Sequence, residues 1–415
     1  PIDMLWIGPS HFATGYSHYL NSDNTSTSGV ALPCLFDFRR RGKVGRIGLC
    51  GNDGSKFPYI KAHLQRHIAE PYNNMDITLE CWPDENIIDS RAHVDALATF
   101  FSGDACAVFT REQDSFHIAF DCVKRGLHTL MHSSVLKNLE QHKQICIAAR
   151  ETGAFSAIEN YLKMDPIYSD ARCRIAKLGK FNYLHCYMTL PKESVDVLEY
   201  PINQKPCEIS SLLNYYHIDF HVWASKGVAR PIRVTGTLSS AVPSESEQNT
   251  AYTSTLVVQW ENFEDGSLGT AVYSSASVDQ SNCSKKREKL YYVGENGDLN
   301  ISPGQCGYEY NTNSNGSGTT YPLYMKYSTS SGYFEGQVGY AYRSLESFVN
   351  GARKANAYKN SSLSLDGFFS SLEDNLATSA ILEAGKLSIE NGSKMYCISY
   401  DGPQKNIPTN IVCLS

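Results

Sequence analysis

The stretch Asp104-Ala-Cys-Ala-Val-Phe-Thr110 decides the fold of this chain, because its strand pattern opens a regular alternation. A helical pattern follows it, then a second apolar run at 128–131, then a second helical pattern that ends at Gly153. Strands alternating with helices of this length predict βαβ units and a parallel sheet. Such sheets bind ligands at the carboxyl ends of their strands, so we expect chemistry in the turns after Phe109 and Met131.

The alternation also covers the first residues. A strand, Ile2–Ile7, leads into the turn Gly8-Pro-Ser-His-Phe-Ala13, where a dinucleotide fold places its GxGxxG sequence. Gly8 and Ala13 suit the first and third positions. Ser10 occupies the second, where a side chain obstructs the backbone's approach to a pyrophosphate. We therefore expect weak or absent dinucleotide binding, while a plain strand-to-helix turn stays open as the alternative.

Two features after this turn could also contact a dinucleotide. Asp53 follows the predicted strand Val44–Cys50, where an acidic group would hold a ribose hydroxyl. The same Asn52-Asp-Gly54 sequence is equally a turn signal. The basic cluster Arg39–Lys43 is compatible with a phosphate contact or, more simply, with a solvated loop.

After Ala154 the pattern changes to long strands of alternating polar and apolar residues, which predict an antiparallel sheet with one polar face. The predicted strands are Phe181–Leu190, Ile232–Ser239, Ser254–Trp260, Leu268–Ser275 and Glu288–Val293. A Tyr- and His-rich helix, Ser210–Ala224, precedes the second of them, and residues 311–320 are predicted to be a polar loop. The chain is thus predicted to be an α/β protein with a Rossmann-type domain, residues 1–155. A second α/β domain, residues 156–415, is built on a large, mainly antiparallel open sheet.

Composition and charge exclude several functional classes. The 415 residues are 42% hydrophobic and 19% charged, as in ordinary globular proteins, and the net charge of −6 gives no reason to expect nucleic acid or an anionic membrane as a partner. No apolar run is long enough to span a bilayer, and no signal sequence is predicted. The 13 cysteines form no CxxC pair, so we expect buried thiols in a cytoplasmic protein.

The order of elements and several motifs resemble the glucose-fructose oxidoreductase, inositol dehydrogenase and rhizopine-catabolism (Gfo/Idh/MocA) family over nearly the whole chain. The motifs are Phe36–Gly45, Asp104-Ala-Cys-Ala-Val-Phe-Thr110, Phe116-His-Ile-Ala119, Gly126-Leu-His-Thr-Leu130, Leu139-Glu140, Asp165-Pro-Ile-Tyr168, His217-Ile-Asp-Phe-His-Val-Trp223 and Gly339-Tyr-Ala-Tyr-Arg-Ser344. The resemblance implies NAD or NADP in the first domain, with Thr110 in the cofactor-binding turn after the fourth strand. It also implies a sugar, cyclitol or related polyol as ligand, and a homo-oligomer or another protein contact formed through the second domain's sheet.

Several positions depart from the family's pattern. The family carries Glu-Lys-Pro after the fifth strand, and its lysine assists proton transfer, but here Ser133 replaces that lysine. An Asp and a His that the family commonly carries four residues apart fall on Leu212 and Tyr216. Because serine has neither the charge nor the pKa for proton transfer, the scaffold is retained while its chemistry is altered.

Other residues are candidates to restore catalysis. Lys137 lies shortly after the replaced lysine, and Lys163 lies where the resemblance places the border of the cleft. Tyr216 could donate a proton if a cation lowered its pKa, and His217 could act as a base. The alternatives are structural: Lys137 as a solvated helix start, and His217 with His221 as a packed pair, so no metal site is predicted.

Two functions stay open. The first is a noncatalytic, pseudoenzyme descendant kept for binding, assembly or regulation, with its NAD(P) site weakened or lost. The second is an active NAD(P)-dependent oxidoreductase of a sugar, cyclitol or related polyol with a rebuilt active site. Joint loss at Ser133, Leu212, Tyr216 and Ser10 favours the first, since compensation would need several independent changes.

Overall fold

A computed structural model describes residues 1–16, 29–110, 115–135, 138–191, 210–240, 252–278, 287–302, 309–312, 316–319, 339–357, 372–401 and 406–414. They form two compact units. The first unit holds the described residues of 1–135, 144–161 and 309–357, and the second holds those of 138–143, 162–302 and 372–414. The chain therefore returns to the first unit after it has formed most of the second unit. The single boundary expected at residue 155 stays a prediction about separate folding domains.

The first unit is built on a parallel sheet. Its strands are β1 (Ile2–Ile7), β2 (Val44–Cys50), β3 (Glu80–Trp82), β4 (Ala105–Val108), β5 (His128–Met131) and β6 (Ser156–Ile158). The helices of this part of the chain are α1 (His11–Thr14), α2 (Ala31–Arg40), α3 (Phe57–Leu64), α4 (Ala92–Ala98), α5 (Ser115–Lys124) and α6 (Leu139–Thr152). The six strands lie in the order β3-β2-β1-β4-β5-β6. The strand order thus reverses between β1 and β4, which makes their carboxyl ends the switch point of the sheet.

A second sheet dominates the other unit. Its eight strands are β7 (Phe181–Pro191), β8 (Ala229–Ser240), β9 (Tyr252–Asn262), β10 (Leu268–Val278), β11 (Arg287–Gly294), β12 (Gly297–Ile301), β15 (Tyr396–Asp401) and β16 (Ile407–Cys413). They lie in the order β12-β11-β7-β10-β9-β8-β15-β16, and only the pair β7–β10 is parallel. The helices are α7 (Pro166–Ile175), α8 (Tyr215–Ala224) and, later in the chain, α10 (Leu376–Glu390). The predicted α/β class, with one parallel and one mainly antiparallel sheet, is confirmed.

Two parts of the prediction differ from the structure. The prediction of a loop at 311–320 was wrong for part of its length, since β13 (Glu309–Thr312) and β14 (Gly316–Thr319) are paired, antiparallel strands. Its Asn, Ser and Gly residues indicate turns locally, whereas pairing between two segments is not visible in local propensity. The second unit also contains β12 and β16, which the sequence did not indicate. Among the described helices, none is long and apolar enough to cross a membrane.

A buried carboxylate joins α2 to the helix α9 (Tyr340–Ala357) within the first unit. Asp37 is fully buried, and its oxygens lie 2.8 Å from Arg40 Nη2 and 2.8 Å from Arg41 Nε. The Tyr342 hydroxyl donates a hydrogen bond of 2.7 Å to Asp37 Oδ2. These three donors balance the charge that burial would otherwise make costly.

The rest of the basic cluster is also paired. Arg39 Nη2 lies 3.0 Å from the Asp76 carboxylate, and Lys43 Nζ lies 2.6 Å from the Glu346 carboxylate. Ion pairs within the unit therefore account for the basic side chains of Arg39–Lys43, while residues 40–42 remain exposed, as expected of a solvated loop.

We predict that Tyr342→Phe destabilises the protein by about 1.5–3 kcal/mol, because a hydrogen bond to a buried charged group is lost while the ring remains. Urea unfolding monitored by circular dichroism measures the change. The matched control is Tyr59→Phe, since Tyr59 is 64% exposed. Equal midpoints for Tyr342→Phe and the wild type would contradict the role assigned to this bond.

Candidate functional site

The turn after β1 packs tightly on the end of β4. Gly8 has a φ of +109°, and a Cβ placed there would lie 2.5 Å from the carbonyl oxygen of Phe109. The indole of Trp6 donates a 3.0 Å hydrogen bond to the Gly8 carbonyl. A glycine is thus required at position 8 because the turn after β1 touches the end of β4 there.

The helix that begins in this turn is only one turn long. Ser10 precedes it and makes no side-chain capping bond, while its carbonyl accepts from the amides of Ala13 and Thr14 at 3.0 and 2.9 Å. Gly15 ends the helix in the left-handed conformation. A single turn aligns few peptide dipoles, so its N-terminus stabilises a bound anion much less than that of a long helix would.

Aromatic rings stack at the carboxyl ends of β1, β4 and β5. Phe109 lies on Trp6, with centroids 4.6 Å apart, and on Phe12, with centroids 5.8 Å apart and planes 6° from parallel. The His132 ring lies 5.6 Å from the Phe109 ring. Phe12 and Phe109 therefore meet across the switch point, where this class of sheet binds its ligand. We call these four residues the switch-point stack.

The switch-point stack was not predicted from the sequence, although a signal was present. An aromatic residue or histidine occurs within five residues of the carboxyl end of three neighbouring strands, at Phe12, Phe109 and His132. Three such rings converge at one edge once the strands are parallel and adjacent.

The other predicted cofactor contacts have structural partners or are buried. Asp53 Oδ1 accepts from the Ser55 amide at 3.1 Å and from the Ser55 hydroxyl at 2.6 Å, which is the geometry of a turn. Thr110 is 8% exposed, directly after Phe109. Ser133 is also 8% exposed, and its Oγ has no hydrogen-bond partner among the described residues.

The positions that correspond to the family's Asp and His are packing positions in this chain. Leu212 is buried in an apolar cluster with Met188 and Leu213, and Tyr216 packs against that cluster. Leu212 carries no titratable group, and the Tyr216 ring packs edge-on against Tyr215 at 5.5 Å.

Lys163 forms a buried ion pair in the second unit. Its Nζ lies 2.6 Å from Asp219 Oδ2, and the two side chains are 4% and 0% exposed. Burial lowers the pKa of Lys163, and the Asp219 carboxylate opposes that shift. The Thr378 hydroxyl lies 3.4 Å from Asp219 Oδ1, and the Trp223 ring lies 5.7 Å from Lys163 Nζ. Lys137, the other candidate lysine, lies outside the described residues.

The two histidines of α8 have different partners. His217 Nε2 lies 3.3 Å from the Tyr168 hydroxyl, and His221 Nδ1 lies 2.6 Å from the Tyr273 hydroxyl. His221 is fully buried beside Trp260, with ring centroids 4.1 Å apart, and burial lowers its pKa to about 3. Both rings thus lie in packed surroundings. Within the described ranges, no three His, Cys, Asp or Glu side chains are arranged to hold a metal ion.

A parallel sheet with this strand order, together with an eight-stranded open sheet, is the fold of the inositol dehydrogenases and related Gfo/Idh/MocA oxidoreductases, as the sequence predicted. The structure is similar to that of myo-inositol 2-dehydrogenase from Lactobacillus plantarum, with a TM-score of 0.60, 14% sequence identity, and 95% and 98% of the two chains covered. No family profile and no curated protein matches the sequence.

Two further similar structures contain ligands. An oxidoreductase from Agrobacterium radiobacter, in complex with NAD+, L-tartaric acid and magnesium, gives a TM-score of 0.60 at 13% identity, with 95% and 97% covered. A scyllo-inositol dehydrogenase from Lactobacillus casei, with NAD(H) and scyllo-inositol bound, gives 0.59 at 10% identity, with 95% and 98% covered. At these identities the comparisons establish the fold.

We predict that Lys163→Ala destabilises the protein by about 3–5 kcal/mol, because the Asp219 charge is left buried without its partner. The control is Arg174→Ala. Arg174 Nε also lies 2.6 Å from a carboxylate, that of Asp170, but both side chains are more than half exposed. Exposed pairs contribute little, so this variant should unfold at nearly the wild-type urea concentration. Equal effects of the two substitutions would refute the structural role of Lys163.

Proposed function

We propose that this chain is a noncatalytic protein with the fold of a polyol dehydrogenase, used for binding, assembly or regulation. The observation that carries the proposal is the Lys163–Asp219 ion pair. A lysine that transfers protons needs access to substrate, whereas this ammonium is enclosed and lies 2.6 Å from a buried carboxylate.

Ser133, Leu212 and Tyr216 support the same conclusion. Ser133 is a buried hydroxyl, Leu212 lies in an apolar cluster, and Tyr216 packs against that cluster. Replacement of a single catalytic group can be compensated, but these three differences would each need their own compensation.

The second candidate is an active NAD(P)-dependent oxidoreductase. It is favoured by the ligands of similar structures, namely NAD+ with L-tartaric acid and NAD(H) with scyllo-inositol. Under this hypothesis the ligand is a sugar, cyclitol or related polyol, and Tyr216, His217, Lys137 or Lys163 supplies the proton transfer.

We also propose a cytoplasmic location. The described cysteines are free thiols, and most of them are buried. Thiols persist in reducing compartments, whereas secreted proteins more often form disulfides.

Turnover separates the two candidates. We predict no reduction of NAD+ or NADP+ by the wild type with a panel of sugars and cyclitols, followed by absorbance of the reduced nicotinamide. Ser133→Lys should also be inactive, because Leu212 and Tyr216 remain unsuited to the reaction. Wild-type turnover that is abolished in Lys137→Ala would defeat the noncatalytic proposal. A Lys163→Ala result counts only if its circular dichroism shows a folded protein.

We further propose that the chain associates with itself through one face of the second sheet. Tyr183, Val257 and Tyr291 share that face by strand register, and they are 38%, 41% and 36% exposed. Their neighbours in sequence, such as Leu184, Leu256 and Tyr292, point to the opposite face and are buried. Exposed apolar and aromatic residues grouped on one face are typical of an interface.

Light scattering at micromolar concentration should therefore report a dimer or larger species. Tyr291→Glu places a charge on the exposed face and should shift the population towards monomer. The control is Ile88→Glu, because Ile88 is 80% exposed in the first unit. A wild type that is strictly monomeric would contradict the proposed association.

A further inference from the structure

We infer that Phe109, together with Phe12, closes the crevice at the switch point of the first sheet and thereby excludes a dinucleotide. The inference deepens the proposed noncatalytic function, on which it rests, by naming the residues that determine what the site can accept. It concerns binding alone, so its test is separate from any test of turnover.

Phe12 and Phe109 come from the two turns that border the switch point. In an open sheet of this strand order, a dinucleotide lies in the crevice outside the carboxyl ends of the strands, between β1 and β4. Phe12 comes from the turn after β1, and Phe109 directly follows β4. Their rings lie 5.8 Å apart and nearly parallel, so ring stacking joins the two turns that would flank a dinucleotide.

The switch-point stack is held in place by its surroundings. Trp6 is fully buried, and Phe109 stacks on it at 4.6 Å, so the Phe109 ring has a fixed support. The Phe109 amide also donates to the Ile7 carbonyl at 2.9 Å, which extends the sheet beyond the end of β4. Moving the ring away for a ligand would break this packing.

The backbone that carries the Phe109 ring is also held in place. Gly8 suits the first glycine position, which permits the tight turn, and a Cβ there would lie 2.5 Å from the Phe109 carbonyl oxygen. The turn after β1 therefore packs directly on the residue whose ring forms the stack.

Ser10 offers a competing explanation, because its side chain occupies the second glycine position of the motif. The two explanations predict different dinucleotide binding by the Ser10→Gly variant. If Ser10 is the obstacle, Ser10→Gly alone restores binding. If the switch-point stack is the obstacle, Ser10→Gly has little effect while the rings remain.

The experiment is calorimetric titration of the full chain with NAD+, NADH, NADP+ and NADPH. We expect no low-micromolar binding by the wild type, and affinity for at least one dinucleotide that is about tenfold or more tighter in Phe109→Ala and Phe12→Ala. The matched control is Phe155→Ala, since Phe155 is also half-buried and stacked, on Phe348 at 5.7 Å, within the same unit. This control should bind as the wild type does.

Three results would overturn the inference. They are low-micromolar binding by the wild type, no gain in either ring variant, and a gain in Ser10→Gly that neither ring variant shows. Thermal unfolding establishes that each variant is folded, and if Phe109→Ala is not, Phe12→Ala and Phe109→Leu decide. Wild-type binding without turnover would overturn the inference and leave the noncatalytic proposal standing, whereas turnover would defeat that proposal itself.

Discussion

The close approach of Gly8 to the Phe109 carbonyl is the constraint on which the carboxyl edge of the first sheet depends. Any side chain at Gly8 would collide with that carbonyl, so β1 and β4 can end side by side only with a glycine there. The backbone ladder then continues past both strands, since the His132 amide also bonds the Val108 carbonyl at 3.0 Å. These backbone bonds hold the three turns close together, and the rings of Phe12, Phe109 and His132 meet there.

The titratable side chains of α8 lie in the packed interior of the second unit. Helix α8 carries His217, Asp219 and His221, and all three are buried. Each has a nearby polar partner: the Tyr168 hydroxyl, the Lys163 ammonium and the Tyr273 hydroxyl, respectively. A helix rich in catalytic residue types can therefore serve mainly to fix a helix layer on a sheet, because buried polar groups with partners specify one packing arrangement.

The fold could be predicted because its signals are local and periodic. The apolar runs of β4 and β5 and the alternation in β7 and β9 each indicate one kind of sheet. The surroundings of the candidate residues could not be predicted in this way. The partner of Lys163 lies 56 positions along the chain, at Asp219, and the rings of the switch-point stack come from three separate turns. Such contacts follow from strand order, which a single sequence does not display.

The hairpin and β16 escaped prediction for a related reason. β16, Ile407–Cys413, contains a proline and mixed polar residues, and its strand geometry comes from pairing with β15. Strand propensity reports how well a residue suits a pleated, half-buried surface, so an edge strand with several exposed residues gives a weak signal.

The late position of α9 in the chain has a consequence for biosynthesis. The core of the first unit includes Tyr342, Leu345 and Phe348, and the buried Asp37 carboxylate receives its tyrosine hydrogen bond from the same helix. Asp37 and Tyr342 are 305 positions apart, so a ribosome must synthesise the residues between them before the first unit can close. Until then, the apolar surface that α9 covers is exposed and the Asp37 carboxylate lacks its tyrosine hydrogen bond. The nascent first unit thus exposes apolar surface until α9 has been made, whereas an uninterrupted Rossmann unit could fold as soon as it emerged.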